Sequence, residues 1–484
     1  MNKKKPSIVL LACGCLAALS ACGGTPEKPG SSSDKVDEPG SSSDKVDDTS
    51  SAAPSDGKTH VKFWHTMGKV NQDLLRGMIK AFQQQNPNIV IDDLSAAGGY
   101  DELQNLILNN VATGNLPTMS FCYPDNVAEY LDRNCVVDMS SYIDDAELGF
   151  KEEDGKSVNE AGEVRVGKAD FVKTFWDEGC EYTKSGVYSL PFAKSTEALF
   201  YNKTVFDQNG WTVPTTWAEM WDLCAEIRAA YPEKKGDEYV YFPLGYDSDS
   251  NLFISMAQQM GYDYTTNDPA SESHFVFDND GIKSMLNMLK GYYDLGYFKT
   301  KGTSANATYT SSRFTAGEIF MSIGSTGGTT YNSTNDFEVG VVAPPSIDVD
   351  HPAVISQGPS VCFYNRSTEE ERRAAWKFYR FVTNSTNTVV YGLSTGYQPV
   401  RYSSYDTDAY KDYIEDAVEG DLLAEVAKLS STMLEDYFTS PVFLGSALAR
   451  TEVGKALSSV LIGSKSVEKA LSDAMANCVN QTRN

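Results

Sequence analysis

Val61-Lys-Phe-Trp64 alternates apolar and polar positions like a half-buried strand. Leu74, Leu75, Met78, Ile79 and Phe82 then recur at helical spacing, and Asn86-Pro87 stops that helix. Ile89-Val-Ile91 reads as a second strand. Leu103, Leu106, Ile107 and Val111 mark a second helix ending near Gly114, and Thr118 to Cys122 a third strand. Strand, helix, strand, helix, strand is the order of a parallel α/β sheet. In open sheets of this kind ligands bind beyond the carboxyl ends of the strands. Here those ends carry Trp64-His65, Ser95 to Tyr100, and Tyr123 to Asn126.

The same style continues downstream. Leu199-Phe-Tyr201, Ile319 to Ile323 and Val339 to Val342 read as strands. Thr216 to Arg228 reads as a helix after Pro214, and Gly281 to Leu295 as a helix with Ile282, Met285, Leu286, Leu289 and Tyr293 inward. Trp376 to Val382 is the buried part of a late helix, and 411–429 and 446–479 look helical throughout. Asp278-Asn-Asp-Gly281 has a fragment of a calcium-loop pattern, but the remaining ligands are missing and a helix cap is the expectation.

The first sixty residues break this pattern. Lys3, Lys4 and Lys5 precede an apolar run from Ile8 to Leu19, shorter than the roughly 20 residues of a spanning helix and suited to an export signal. It ends in Leu19-Ser20-Ala21-Cys22, similar to a bacterial lipobox, so residues 1–21 are expected to be a lipoprotein signal and Cys22 the acylated, palmitate-bearing first mature residue. Residues 22–57 are rich in Gly, Ser, Pro, Asp and Lys, and Pro29 to Asp37 recurs as Pro39 to Asp47. Such a segment cannot bury a core and reads as a disordered tether.

Composition narrows the function. The formal net charge is −25, and removing the leader takes away three lysines and no acid. A chain this acidic is repelled by nucleic acid, whose binding rests on Lys and Arg contacts to phosphate. More than 400 residues remain after leader and tether, which suggests two domains. Six cysteines remain beyond Cys22 (122, 135, 180, 224, 362 and 478), with no CxxC pair, and the four histidines share no metal-ligand spacing. No cofactor or metal is expected.

A set of short stretches then carries a resemblance: Phe63-Trp-His-Thr-Met67, Gly114-Asn-Leu-Pro117, Leu199-Phe-Tyr-Asn-Lys203, Pro214-Thr-Thr-Trp217, Phe314-Thr-Ala-Gly-Glu318 and Thr395-Gly-Tyr-Gln-Pro399. In this order they resemble the extracellular solute-binding proteins (family 1) of bacterial ABC importers, in the branch that takes sugars and glycerol phosphates. The resemblance implies an α/β, two-lobed periplasmic-binding-protein-like (type II) fold with a hinge. Lobe one is expected at 58–145 plus 360–405, and lobe two at 146–359 plus 406–484. It implies a monomer held to the membrane by its lipid, outside the cytoplasm, delivering a small solute to permease subunits and doing no chemistry.

The positions matching the family's ligand contacts are Tyr100, Tyr123 and Asp125 after strands, Ser195 in a crossover, Tyr246 and Asp247, Ser325, Gly358 before a crossing strand, Tyr397 in a turn, and Arg450 early in a C-terminal helix. Aromatic faces and fixed polar groups suit a polyol. Each position has a plainer reading too: Asp125 as a helix cap, Arg450 as a surface partner of Glu452 or Asp436. Where the glycerol-phosphate branch supplies tryptophans, this chain reads Gly245-Tyr-Asp-Ser-Asp-Ser-Asn251, and Pro124 stands at an acidic position. Asp247 and Asp249 would repel a phosphate. A sugar or oligosaccharide is therefore the first expectation, glycerol phosphate or another small polar solute the second. A surface glycoside hydrolase using two carboxylates is the third, with no catalytic motif to support it.

Overall fold

The chain is described by a computed structural model over residues 56–482, apart from positions 97 and 419. The expected signal, Cys22 and nearly all of the tether lie outside the described residues. From Thr59 onward the chain forms one compact unit.

The strands that matter here are β1 (Thr59–His65), β2 (Ile89–Ser95), β3 (Met119–Cys122), β4 (Leu190–Pro191), β5 (Glu197–Asn202), β6 (Phe242–Tyr246), β7 (Phe298–Thr300), β8 (Ile319–Ser325), β9 (Val339–Val342) and β10 (Ser360–Phe363). They form two five-stranded sheets, ordered β2-β1-β3-β10-β4 and β7-β6-β8-β5-β9. In the first, β2, β1 and β3 run parallel, as their alternation with helices requires, while β10 lies antiparallel to β3 and to β4. In the second, β7, β6 and β8 are parallel, and β5 is antiparallel to β8 and β9. Both sheets are therefore mixed. The antiparallel members are strands entered from the other sheet, which no local periodicity announces.

Among the helices, α1 (Lys69–Gln85), α2 (Tyr100–Val111) and α3 (Pro124–Asp132) belong to the first sheet, and α4 (Trp217–Ala230), α5 (Asp249–Gln259) and α6 (Asp280–Asp294) to the second. Then come α7 (Glu369–Val382), α8 (Ser385–Thr395), α9 (Leu422–Thr432), α10 (Ser446–Leu461) and α11 (Val467–Thr482). Two of them start at reciprocal caps. Thr216 Oγ1 accepts from the Glu219 N–H at 3.2 Å while Glu219 accepts from the Thr216 N–H at 3.0 Å, and Thr368 and Glu371 repeat the pattern at α7. Asn279 forms the helix cap expected at 278–281: its side chain accepts from the Ile282 N–H at 2.9 Å and opens α6.

Two stretches expected to be continuous helix are broken. Residues 411–429 divide into Asp408–Glu415 and α9, because Asp421 accepts from the Ala424 N–H and starts a new helix. Residues 446–479 divide into α10 and α11, because Ser466 caps the second through the Lys469 N–H at 3.2 Å.

Each sheet carries its own apolar core. The first is aromatic: Phe378 of α7 packs on Phe63 at 6.1 Å and on Phe82 at 5.2 Å between ring centroids. Residues 146–193, expected in lobe two, lie largely against this first core through Leu148, Phe171, Phe175, Tyr188 and Leu190. Trp376 Nε1 donates to the Leu148 carbonyl at 2.7 Å and Arg380 Nε to Asp154 at 2.8 Å, fixing the stretch to α7. The chain passes between the cores at 193–197, at 354–360 and again after Tyr437. These passes are stitched together: Ser195 and Gln357 exchange backbone hydrogen bonds at 2.9 and 2.8 Å, and Val354–Ile355 pairs with Tyr437–Phe438. All six cysteines after Cys22 are free thiols, five of them buried.

Candidate ligand-binding site

The carboxyl ends of β2 and β3 open into helices whose first residues face the second sheet's helices. Tyr100 is the first residue of α2, held there by Glu102 accepting from the Gly99 N–H at 2.6 Å. Tyr123 is the N-cap of α3, and its N–H donates to Asn126 Oδ1 at 3.0 Å. The two rings lie 4.3 Å apart, tilted by 50°. Pro124 occupies the first helical position, where its missing N–H costs nothing, so the cap expected of Asp125 belongs to Tyr123 and Asn126. Asp125 is left free to face the opposite wall.

That wall comes from α5, α10 and the crossing segments. A cavity of ≈ 240 Å³ is lined by Tyr100, Tyr123 and Asp125 on one side and by Ser250, Ser356, Gln357, Ser440, Arg450 and Thr451 on the other, with Glu178 also in its wall. A wider groove of ≈ 620 Å³ runs along Thr59, Asn86, Ile89 and Lys377, at the opposite ends of β1 and β2, and contains none of the expected site residues.

The charges in the cavity are constrained. Burial pushes the Asp125 carboxyl up, while the Arg450 guanidinium and the Ser446 hydroxyl draw it down. Burial also raises Glu178, against the pull of Lys194, to which it is ion-paired. Lys194 is fully buried and donates as well to the Gly358 carbonyl at 3.2 Å, so it is committed to Glu178 and to the crossing segment. The Tyr123 hydroxyl is raised by burial, and the Gly358 N–H bonds to it. Ser356 Oγ and Gln357 Nε2 are buried and have no protein partner, so two polar groups remain to be satisfied beside the cavity.

Of the ten residues expected from the sequence, Tyr100, Tyr123, Asp125 and Arg450 form the cavity wall. Tyr397 stands close enough to both tyrosines to influence their ionisation, and its ring fills the space a side chain at Gly327 would need. Gly358 has φ +90°, and a Cβ there would lie 2.3 Å from the Ala193 carbonyl oxygen, so only glycine fits the strand crossing. Ser195 and Ser325 bond to each other at 3.1 Å behind the wall.

Tyr246 and Asp247, expected to meet ligand hydroxyls, lie outside the wall and bond to protein. Tyr246 is buried and donates to Glu197. Asp247 accepts from Thr310 Oγ1 at 2.7 Å and from the Ser311 N–H at 3.1 Å. Arg450 pairs with neither Glu452 nor Asp436; it donates to Asn251 Oδ1, and Glu452 bonds instead to Lys455 and Asn477.

Glu178, Ser250, Ser356, Gln357 and Ser440 are wall residues that the sequence did not single out. Their only linear signal was proximity: Ser356-Gln357 directly precedes Gly358 of the expected crossing. Among the described residues no group of three His, Cys, Asp or Glu side chains could hold a metal ion. No helix among them is long and apolar enough to cross a membrane.

Residues 77–417 match the model of the bacterial extracellular solute-binding protein family. The sn-glycerol-3-phosphate-binding periplasmic protein UgpB of Salmonella typhimurium is 24% identical over 444 residues, covering 86% of this chain and 91% of that protein. UgpB of Escherichia coli K12 is 23% identical, with the same coverage. UgpB from Mycobacterium tuberculosis in complex with glycerophosphocholine superposes with a TM-score of 0.70 at 20% identity, over 87% of this chain and 98% of that one. The GacH receptor of Streptomyces glaucescens, solved unliganded and with acarbose, gives 0.69 at 14% identity, over 88% and 98%. Maltose-bound MalE3 of T. maritima gives 0.66 at 16%, over 87% and 99%. With the family model spanning most of the chain and the two-sheet architecture shared, this chain belongs to the bacterial extracellular solute-binding proteins, the receptors of ABC importers.

Proposed function

We propose that the chain captures a small sugar or sugar-like polyol in the cavity between its two cores and delivers it to an ABC permease, with no chemical step of its own. One observation carries this reading. The cavity sets a tilted tyrosine pair opposite Arg450 and beside two unpartnered polar groups, Ser356 Oγ and Gln357 Nε2. Tyrosine faces suit the C–H surface of a pyranose, and fixed donors and acceptors suit its hydroxyls. The volume lies below the roughly 300–1,000 Å³ of pockets for drug-sized ligands, which favours one or two sugar units over a long oligosaccharide. Asp125 and Asp101 place negative charge at the same wall, which disfavours a dianion.

The lobes in this reading follow the cores, with 146–193 moving to lobe one. Ligand bridging the lobes shifts the molecule toward its closed form by binding that form better. Cys22 carries the lipid that keeps the receptor at the membrane, and the tether lets it reach out.

Arg450 supports a second ligand class, a glycerol phosphate or its diester, which the UgpB relatives are named or shown to bind. Calorimetry and thermal shift over mono- and disaccharides, glycerol 3-phosphate and glycerophosphocholine separate the two. We expect saturable binding of a sugar, a raised Tm and no product. If only the phosphates raise Tm, the second reading takes over; release of product from a bound sugar would overturn the receptor assignment. The mass of the membrane-extracted chain tests the anchor: an N-terminal peptide beginning at Cys22 without acyl groups removes it.

A further inference from the structure

Arg450 does not enter the cavity as a free side chain. Its guanidinium donates to Asn251 Oδ1; Asn251 Nδ2 donates to Glu197 Oε1 at 2.9 Å; and the other oxygen of Glu197 accepts from the Tyr246 hydroxyl. Glu197, Asn251 and Tyr246 are 3%, 4% and 2% exposed, so the chain of bonds runs without room for water to substitute. Its polarity is fixed from both ends. A guanidinium only donates, so the amide must turn its oxygen to Arg450. The amide nitrogen then faces Glu197 and requires an acceptor, which an ionised carboxylate supplies.

We propose that Glu197 and Asn251 are positioning residues for Arg450: the buried carboxylate dictates which way round the Asn251 amide lies, and the oxygen so presented holds the guanidinium against the ligand cavity. The functional value of that hold rests on the cavity being the ligand site. A guanidinium already locked in place loses less side-chain freedom when a ligand arrives.

The fold supplies the means. Glu197 is the first residue of β5, directly after the crossing segment, where Thr196 Oγ1 donates to the Ile355 carbonyl at 2.8 Å. Asn251 lies in the first turn of α5 and Arg450 in the second turn of α10. The lock therefore joins a crossing strand to two cavity helices. The groups around Glu197 act in both directions. Its carboxyl is raised to about 7 in balance: burial pushes it up, the hydrogen bonds from Tyr246 and Asn251 and the charge of Arg450 draw it down, and Asp247 pushes it up; Ser325 sits opposite it on β8. Protonation replaces the charged acceptor facing the Asn251 nitrogen with a neutral carboxyl that can itself donate, so the amide is no longer held with its oxygen on Arg450.

The test is nitrogen-15 NMR of the arginine side chains in the full mature chain without ligand, with Arg450→Lys identifying the Arg450 signals. Slowed rotation, seen as separate Nη–H signals for Arg450, is expected at pH 8. Asn251→Leu should collapse them and so should the isosteric Glu197→Gln, whereas Asn251→Asp, which keeps an acceptor for Arg450, should preserve them. The unsubstituted protein provides the same reading without a variant: the signals should collapse as the pH is lowered through 7. Arg450 signals indifferent to Glu197→Gln and to this titration would overturn the proposal. Adding maltose or glycerol 3-phosphate to the same samples addresses the cavity reading separately. If a solute that raises Tm leaves Arg450 unmoved, the cavity reading falls, while the lock is judged on the ligand-free spectra.

Discussion

Glu197 brings a titratable group into a place where its charge is costly, and stability should record this. Folding lifts its carboxyl from the ordinary 4.5 to about 7, chiefly by burial, so between those values the native state holds more protons than the unfolded one. Its contribution is complete below pH 4.5 and is lost as the pH rises to about 7, on the order of 3 kcal/mol in all. Urea unfolding at pH 5 and pH 8 should show the unsubstituted protein losing more stability across that interval than Glu197→Gln. A difference between the two that does not vary with pH would mean the carboxyl does not titrate there. Residues of this kind were hard to read from sequence. Arg450 and the two cavity tyrosines stood at positions matching a family pattern, but Glu197 sits at the start of an apolar strand with no local mark of its role. Asn251 stands beside Asp247, a position expected at the ligand, and Asp249, and these two accept hydrogen bonds from Thr310, Ser311, Thr300 and Gly302.

At the scale of elements, α10 approaches α5 closely because residue 454 has no side chain. A Cβ on Gly454 would stand 2.4 Å from Ser250 Oγ and 3.0 Å from the Ser250 backbone nitrogen. Gly454→Val should therefore force the helices apart and cost about 1–3 kcal/mol by overpacking. Because Ser250, Arg450 and Thr451 all belong to the cavity wall, affinity should fall along with the denaturation midpoint. A variant with native midpoint and native affinity would show that the two helices can separate freely. The periodic stretches that became β1, α1, β2, α2 and β3 were legible because each repeats one burial pattern over several turns or pleats. The missed breaks had a readable cause as well: Asp421 before Leu422-Leu423 and Ser466 before Val467 are capping residues directly ahead of apolar ones. What no stretch could reveal was strand direction, since β5 and β10 run as they do only because the chain has come across from the other sheet.

At the scale of the molecule, the placement of 146–193 shows the limit of reading domains along a line. That stretch is joined to α7, more than 200 positions later, by the Trp376 and Arg380 contacts. The division into two cores has a practical corollary in the sulfur atoms. Cys122, Cys135 and Cys362 are sealed in the first core, Cys224 and Cys478 in the second, and only Cys180 is half-buried. Burial lifts Cys135 and Cys478 to about 12 and Cys180 to about 11, which keeps the reactive thiolate scarce. An alkylating reagent should thus reach the other five only as the region housing each one opens. Peptide mapping against time would then give two independent clocks, three sulfurs timing one half and two the other. If all five were labelled in step, the halves would unfold as a single cooperative body.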